Sequence, residues 1–192
     1  MPLNETDKAL LILDLDETLI HSSSKELGRQ CDFRVFDFHV YKRPHLEHFL
    51  QEAFSNYKVA IWSTGSDDYV DLLAKEILPE GFQFEFVWGR NRCTARRMSS
   101  EDVDFGYTDP GRVDYIKPIK KLRNKGYTRE RILIVDDSPH KVSDNYGNAI
   151  YVSEFTGNEN DDELLRLTEY LKRTVEVPDF RHLEKRGWRD SL

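Results

Sequence analysis

The chain has 192 residues, with 28 Lys and Arg against 35 Asp and Glu, so its formal net charge is −7. That balance argues against a nucleic-acid coat or an anionic membrane surface as the main partner. Hydrophobic residues at 39 % and aromatics at 12 % argue against global disorder, and the two cysteines, Cys31 and Cys93, form no Cys-x-x-Cys pair that would suggest a disulfide scaffold or a zinc knot.

In chain order, Met1 to Asp7 lacks the basic start and apolar stretch of a secretion signal. Nowhere does an apolar run approach the roughly 18 residues that span a bilayer, so a cytoplasmic chain with no membrane contact is expected. Ala9 to Leu13, Lys58 to Trp62, Ile132 to Val135 and Ala149 to Val152 are short, nearly continuous apolar runs, the pattern of strands buried on both faces of a parallel sheet. Phe84 to Trp88 is a further predicted strand. Phe33 to Tyr41 alternates but switches parity between Val35 and Phe36, which predicts a strand or hairpin with a bulge.

Helical patterns fall between the strands. Pro44 to Phe54 opens with a proline, as first turns do. Ser66 is a predicted N-cap, Asp67 and Asp68 suit the positive helix start, and Val70, Leu73 and Ile77 share a face ended by Pro79 and Gly81. Lys117 to Asn124, with Pro118 in the first position, ends at Gly126. Asp161 to Lys172 aligns Leu164, Leu167 and Leu171. Arg90 to Arg112 has no clear period and is expected to be irregular. For Pro178 to Leu192, docked helix and loose tail are both open, with Phe180, Leu183 and Trp188 as anchors. The alternation predicts an α/β three-layer, Rossmann-like fold with a central parallel sheet.

The first strand runs into Asp14-Leu15-Asp16-Glu17-Thr18. Ligands bind beyond the carboxyl ends of parallel strands, and Asp14 and Asp16, two apart, point the same way in extended geometry. The third apolar strand ends alike, in Asp136-Asp137-Ser138-Pro139. Either cluster alone could be a solvated turn. Converging carboxylates without Cys or paired His suit the hard cation Mg²⁺ rather than zinc. Ser63-Thr64-Gly65-Ser66 at a helix start offers hydroxyls and backbone N–H groups to an anion. Lys117 is a surface lysine by default, or a cation holding phosphate beside the acids.

Asp14-Leu15-Asp16-Glu17-Thr18-Leu19 resembles the Asp-x-Asp-x-Thr signature of the haloacid dehalogenase-like superfamily. Tyr41-Lys42-Arg43-Pro44-His45, Asp136-Asp137-Ser138-Pro139 and Asn145-Tyr146-Gly147-Asn148-Ala149 resemble its branch of small C-terminal-domain phosphatases and NLI-interacting-factor-like relatives. The resemblance spans about Leu10 to Leu171. It implies a phosphatase in which Asp14 is the nucleophile, forming an aspartyl-phosphate, and Asp16 the general acid and base. Thr64, with Gly65, would bind the phosphoryl oxygens, and Lys117 would hold phosphate and steady Asp14. Mg²⁺ would lie on Asp14, the Asp16 backbone carbonyl, Asp136 and Asp137, with Asp137 the more direct ligand of the last two. Arg90 would contact substrate, because an Arg shortly before a Cys occurs at the like place in the small relatives.

This implies one phosphatase domain over 1–175, with a flap at about 22–42 and an insertion at about 89–113, and a C-terminal extension over 176–192. The expected partner is a phosphorylated substrate, a Ser/Thr phosphoprotein first, with a small metabolite or a nucleic-acid end phosphate as alternatives; a monomer or weak dimer is expected. A receiver-like module and a catalytically silent binding protein are the other classes. Ser63-Thr64-Gly65-Ser66 departs from the usual Phe-Thr-Ala-Ser, and Lys117-Pro118 from Lys-Asp. Arg90, Arg92, Arg96 and Arg97 form a solvated loop or an acid-recognising patch. His45 and His48 read as rim residues, and Trp62 and Trp88 as core or pocket wall.

Overall fold

The structure, a computed structural model, describes residues 8–97, 113–145 and 147–191. Strands β1 (Leu10–Leu13), β5 (Lys58–Trp62), β6 (Val87–Trp88), β9 (Ile132–Asp136) and β10 (Ala149–Tyr151) form one parallel sheet in the order β10-β9-β1-β5-β6. β2 (Ile20–Ser23), β3 (Phe33–Val35) and β4 (Phe38–Lys42) form a separate antiparallel sheet, the flap, while β7 (Thr94–Arg97) and β8 (Val113–Ile116) pair antiparallel beside the main sheet. Among the described residues no helix is long and apolar enough to cross a membrane.

β1 is central, and every one of its residues is buried. Leu11 and Leu13 pack with apolar residues of α1 (Leu46–Asn56), α2 (Asp67–Ile77) and α3 (Glu163–Thr174), whereas Leu10 and Ile12 pack with Ile119, Leu122 and Val142 of short 3-10 segments. The three layers thus follow from the two-residue period of one apolar strand. Each fully buried Leu or Ile contributes about 1.5–3 kcal/mol over an exposed one. Register then sets the site. Leu13 pairs with Val135 and with Ile61, so the next rung puts Asp14 level with Asp136.

Several boundaries differ from the sequence expectation. Pro44 is not in the first turn of α1: His45 has φ 65, a left-handed conformation, and the helix begins at Leu46. Pro118 likewise precedes its helix, and Ile119–Lys125 is a 3-10 helix ended by Gly126 at φ 83. The parity switch at Phe36 is a two-residue turn between β3 and β4 rather than a bulge, with Phe36 at φ 51. Phe84 to Phe86 lies outside β6. The stretch expected to be irregular, Arg90 to Arg112, contains β7, which pairs with β8 just beyond it; residues 98–112 lie outside the described residues, as does Tyr146.

The terminal stretch is docked. Phe180 and Trp188 are buried, Trp188 Nε1 donates to Tyr151 O at 2.9 Å, and its ring lies 5.6 Å from that of Tyr170.

Candidate active site

Asp14 follows β1 directly, its N–H donating to Val135 O at 3.0 Å. The chain then turns tightly. Thr18, Leu19 and Ile20 all donate to the Leu15 carbonyl, and Glu17 takes φ 62. This turn buries Leu15 and presents Asp14 and Asp16 beyond the sheet. Arg43, itself buried, closes it from behind: Nη1 donates to Thr18 O at 3.0 Å.

Lys117, at the end of β8, is buried between the two acidic strand ends. Its Nζ lies 2.7 Å from Asp14 Oδ1 and 2.6 Å from Asp136 Oδ2. Burial disfavours its charge, but Asp136 and then Asp14 outweigh that and raise its pKa above the ordinary lysine value. The surface-lysine reading is therefore overturned. Asn145 holds the segment that follows, its Nδ2 donating to Lys117 O at 2.6 Å and its Oδ1 accepting from Ile119 N at 3.0 Å. That is the work of the Asn in the Asn145-to-Ala149 motif.

Asp136 has both oxygens engaged, the second accepting from Ser138 N at 2.9 Å. Burial and then Asp14 push its pKa up, with Lys117 opposing. Asp137 accepts from Ser138 Oγ at 2.8 Å through Oδ2, while Oδ1 meets Thr18 Oγ1 only at 3.5 Å. Asp14 Oδ2 is buried and has no hydrogen-bond partner among the described residues.

Asp14, Asp136 and Asp137 each offer an oxygen within 4.8 Å of the others, and among the described residues this is the group that could hold a metal. An all-carboxylate set with a buried, unpartnered Asp14 oxygen fits Mg²⁺. The Asp16 carboxyl stands apart from that group and accepts from Tyr69 Oη at 2.7 Å. Burial raises the Asp16 pKa; the Tyr69 hydrogen bond opposes and Asp14 adds to the rise. Two carboxylates two residues apart thus have different surroundings, the condition for dividing nucleophile from acid.

The β5–α2 loop brings Thr64 and Gly65 to the same end of the sheet. Ser63 is buried, and its Oγ accepts from Gly65 N at 3.0 Å, so that amide is not free for an anion as expected. Ser66 occupies the cap position of α2 without a side-chain cap bond. Arg90 fastens the loop: Nε donates to Thr64 O at 2.9 Å, N to Gly65 O at 2.8 Å, and the guanidinium lies 5.2 Å from the Tyr115 ring centre. Arg92 lies over Trp88 and Arg96 is exposed on β7. His45, just before α1, and His48 on it are exposed, and Trp62 and Trp88 meet edge to face in the core.

Three residues here had no role assigned from the sequence, Thr18 having been named only as part of its motif. Tyr69 lies on the α2 face toward the site, and its Oη also lies 2.6 Å from Ser22 Oγ of the flap, which donates to it because the one Tyr69 proton goes to Asp16. Thr18 Oγ1 accepts from Asp137 N at 3.2 Å, joining the two acidic loops. Lys141 lies 3.8 Å from both Asp14 and Asp137. Its one sequence signal is a cation four residues after Asp137.

Residues 9–181 match the family model described as NLI interacting factor-like phosphatase. The human Carboxy-terminal domain RNA polymerase II polypeptide A small phosphatase 1 is 29 % identical over 182 residues, 91 % of this chain and 62 % of that protein. The Danio rerio Ubiquitin-like domain-containing CTD phosphatase 1 is 27 % identical over 96 % of this chain and 55 % of its own length. The chain therefore spans less than two thirds of each of these relatives. Among solved structures, that of Fcp1, an essential RNA polymerase II CTD phosphatase, superposes with a TM-score of 0.66 at 19 % identity, covering 89 % of this chain and 63 % of that one. The likeness is one of fold.

Proposed function

We infer that this chain, which belongs to the NLI interacting factor-like phosphatase family, is a Mg²⁺-dependent phosphomonoester hydrolase acting on phosphoprotein Ser or Thr. The observation that carries this reading is the state of Asp14: one oxygen is held by buried Lys117, and the other is buried and accepts no hydrogen bond from the described residues. Relatives named as CTD phosphatases support a protein substrate.

Asp14 Oδ2 forms the new O–P bond as the bond from phosphorus to the substrate oxygen breaks. That oxygen keeps the electron pair and takes the proton of Asp16, whose pKa is raised by burial. Asp16, now a carboxylate, then takes a proton from water as the water oxygen bonds to phosphorus. The Asp14–phosphorus bond breaks, and Asp14 returns to its starting charge. Lys117 holds Asp14 in place throughout, and the Thr64 hydroxyl binds the phosphoryl oxygens. Asp14, Asp136 and Asp137 would hold Mg²⁺, which would supply positive charge to offset the repulsion between a carboxylate and a phosphate dianion.

The test is hydrolysis of an aryl phosphate and of a phosphoserine peptide by wild type and Asp14→Asn, each with Mg²⁺ and with excess chelator. Metal-dependent turnover confined to wild type is expected. Turnover by a folded Asp14→Asn would overturn the nucleophile assignment, and an inactive, Mg²⁺-loaded wild type would favour a silent binding protein.

A further inference from the structure

Lys141 is a second, half-buried cation at the site, held differently from Lys117. It belongs to the 3-10 segment Pro139–Asn145, and its backbone is tied at both groups: its N–H donates to Ser138 O at 3.1 Å, and its carbonyl accepts from Lys117 N at 2.7 Å. Its side chain, 20 % exposed, brings Nζ to 3.8 Å from Asp14 Oδ2 and 3.8 Å from Asp137 Oδ1. These are ion-pair separations without hydrogen-bond closure. Lys117, by contrast, is spent on Asp14 and Asp136 at 2.7 and 2.6 Å.

The two oxygens that Lys141 faces are also the least engaged in the cluster. Among the described residues, Asp14 Oδ2 has no hydrogen-bond partner, and Asp137 Oδ1 has only the 3.5 Å contact from Thr18. The charged groups around the ammonium are Asp14, Asp16, Asp136, Asp137 and Lys117. A divalent cation drawn to these acids meets a resident ammonium already facing them. A phosphate dianion arriving afterwards meets an ammonium with no hydrogen bond to give up.

On the Mg²⁺ reading above, we propose that Lys141 couples the two ligands of the site: it weakens the binding of Mg²⁺ alone and binds phosphate once Mg²⁺ is present. Like charges at this range are worth about tenfold in affinity even when partly screened. The coupling is reciprocal, so phosphate tightens Mg²⁺ through the same residue.

The experiment is titration calorimetry of Mg²⁺ into the chelator-stripped full chain, then of inorganic phosphate into the Mg²⁺-loaded chain. Wild type, Lys141→Met, Lys141→Gln and Lys141→Arg are compared, with Asp137→Asn as the site control and circular dichroism to verify folding. Lys141→Met and Lys141→Gln are expected to bind Mg²⁺ about tenfold tighter and phosphate about tenfold more weakly, while Lys141→Arg stays near wild type. Unchanged or weaker Mg²⁺ binding in whichever neutral variant folds overturns the proposal, as does unchanged phosphate affinity. If wild type gives no Mg²⁺ binding that Asp137→Asn reduces, the Mg²⁺ reading itself fails and this inference with it.

Discussion

Arg43 and Asp161 lie 118 residues apart in the chain and meet through two hydrogen bonds, Nε to Oδ1 at 2.7 Å and Nη2 to Oδ2 at 2.8 Å. A third bond from Arg43 holds Thr18 O. The pair therefore ties the turn carrying Asp16 to the start of α3.

Asp161→Ala is expected to cost about 3 kcal/mol, the lower end for breaking a buried pair because Asp161 keeps 15 % side-chain exposure. Urea unfolding checks it through a lower midpoint at an unchanged slope. The pH dependence has a definite sign. Burial would raise the Asp161 pKa, but Arg43 outweighs it and holds the carboxyl below its ordinary 3.8. Between the two values the unfolded chain binds more protons, so the stabilisation is full above the unfolded value and is lost as pH falls through the folded one. Asp161→Asn lacks that loss, so its deficit against wild type shrinks on acidification below about pH 4.

Lys117→Met leaves Asp14 and Asp136 buried without their cation. Stability without metal is expected to fall by about 3–5 kcal/mol, and turnover by at least about 10²-fold. Added Mg²⁺ is expected to raise the variant's melting temperature more than that of wild type, because without Lys117 only Lys141, 3.8 Å from Asp14, still faces the acids and the metal takes over the missing neutralisation. Equal shifts in paired melts would contradict this.

Tyr69→Phe removes a hydrogen bond that lowers the Asp16 pKa. That pKa rises further, so a general acid keeps its proton to higher pH. The high-pH decline of kcat/KM is expected to move upward, with a smaller loss of kcat on substrates with good leaving groups, which need less protonation. An unmoved profile would separate Tyr69 from the chemistry.

Trp188→Ala empties a site in which the indole is 1 % exposed. A loss of about 3–5 kcal/mol is expected from the transfer and cavity costs together. A loss below about 1 kcal/mol in denaturant titration would mean that the C-terminal segment is not docked in solution.

The sheet and the acidic cluster at its rim were legible in the local residue pattern. Apolar runs such as Leu10 to Leu13 and Ile132 to Val135 can be satisfied only between two layers, and the acids that end them must then stand at the carboxyl rim. Helices α2 and α3 were legible because their apolar faces repeat at helical spacing. What repeats in no pattern was not legible. His45 takes a left-handed conformation and displaces Pro44 from its helix, a choice that belongs to the turn and not to the proline.

Tertiary structure alone decided which polar groups meet. Tyr69 reaches Asp16 across 53 residues, Thr18 reaches Asp137 across 119, and Lys141 faces Asp14 from a 3-10 segment with no periodic signature. The physical reason is that hydrophobic patterning is written locally, residue after residue. Neutralising a buried carboxylate instead depends on distances of a few ångströms that exist only once the layers have closed.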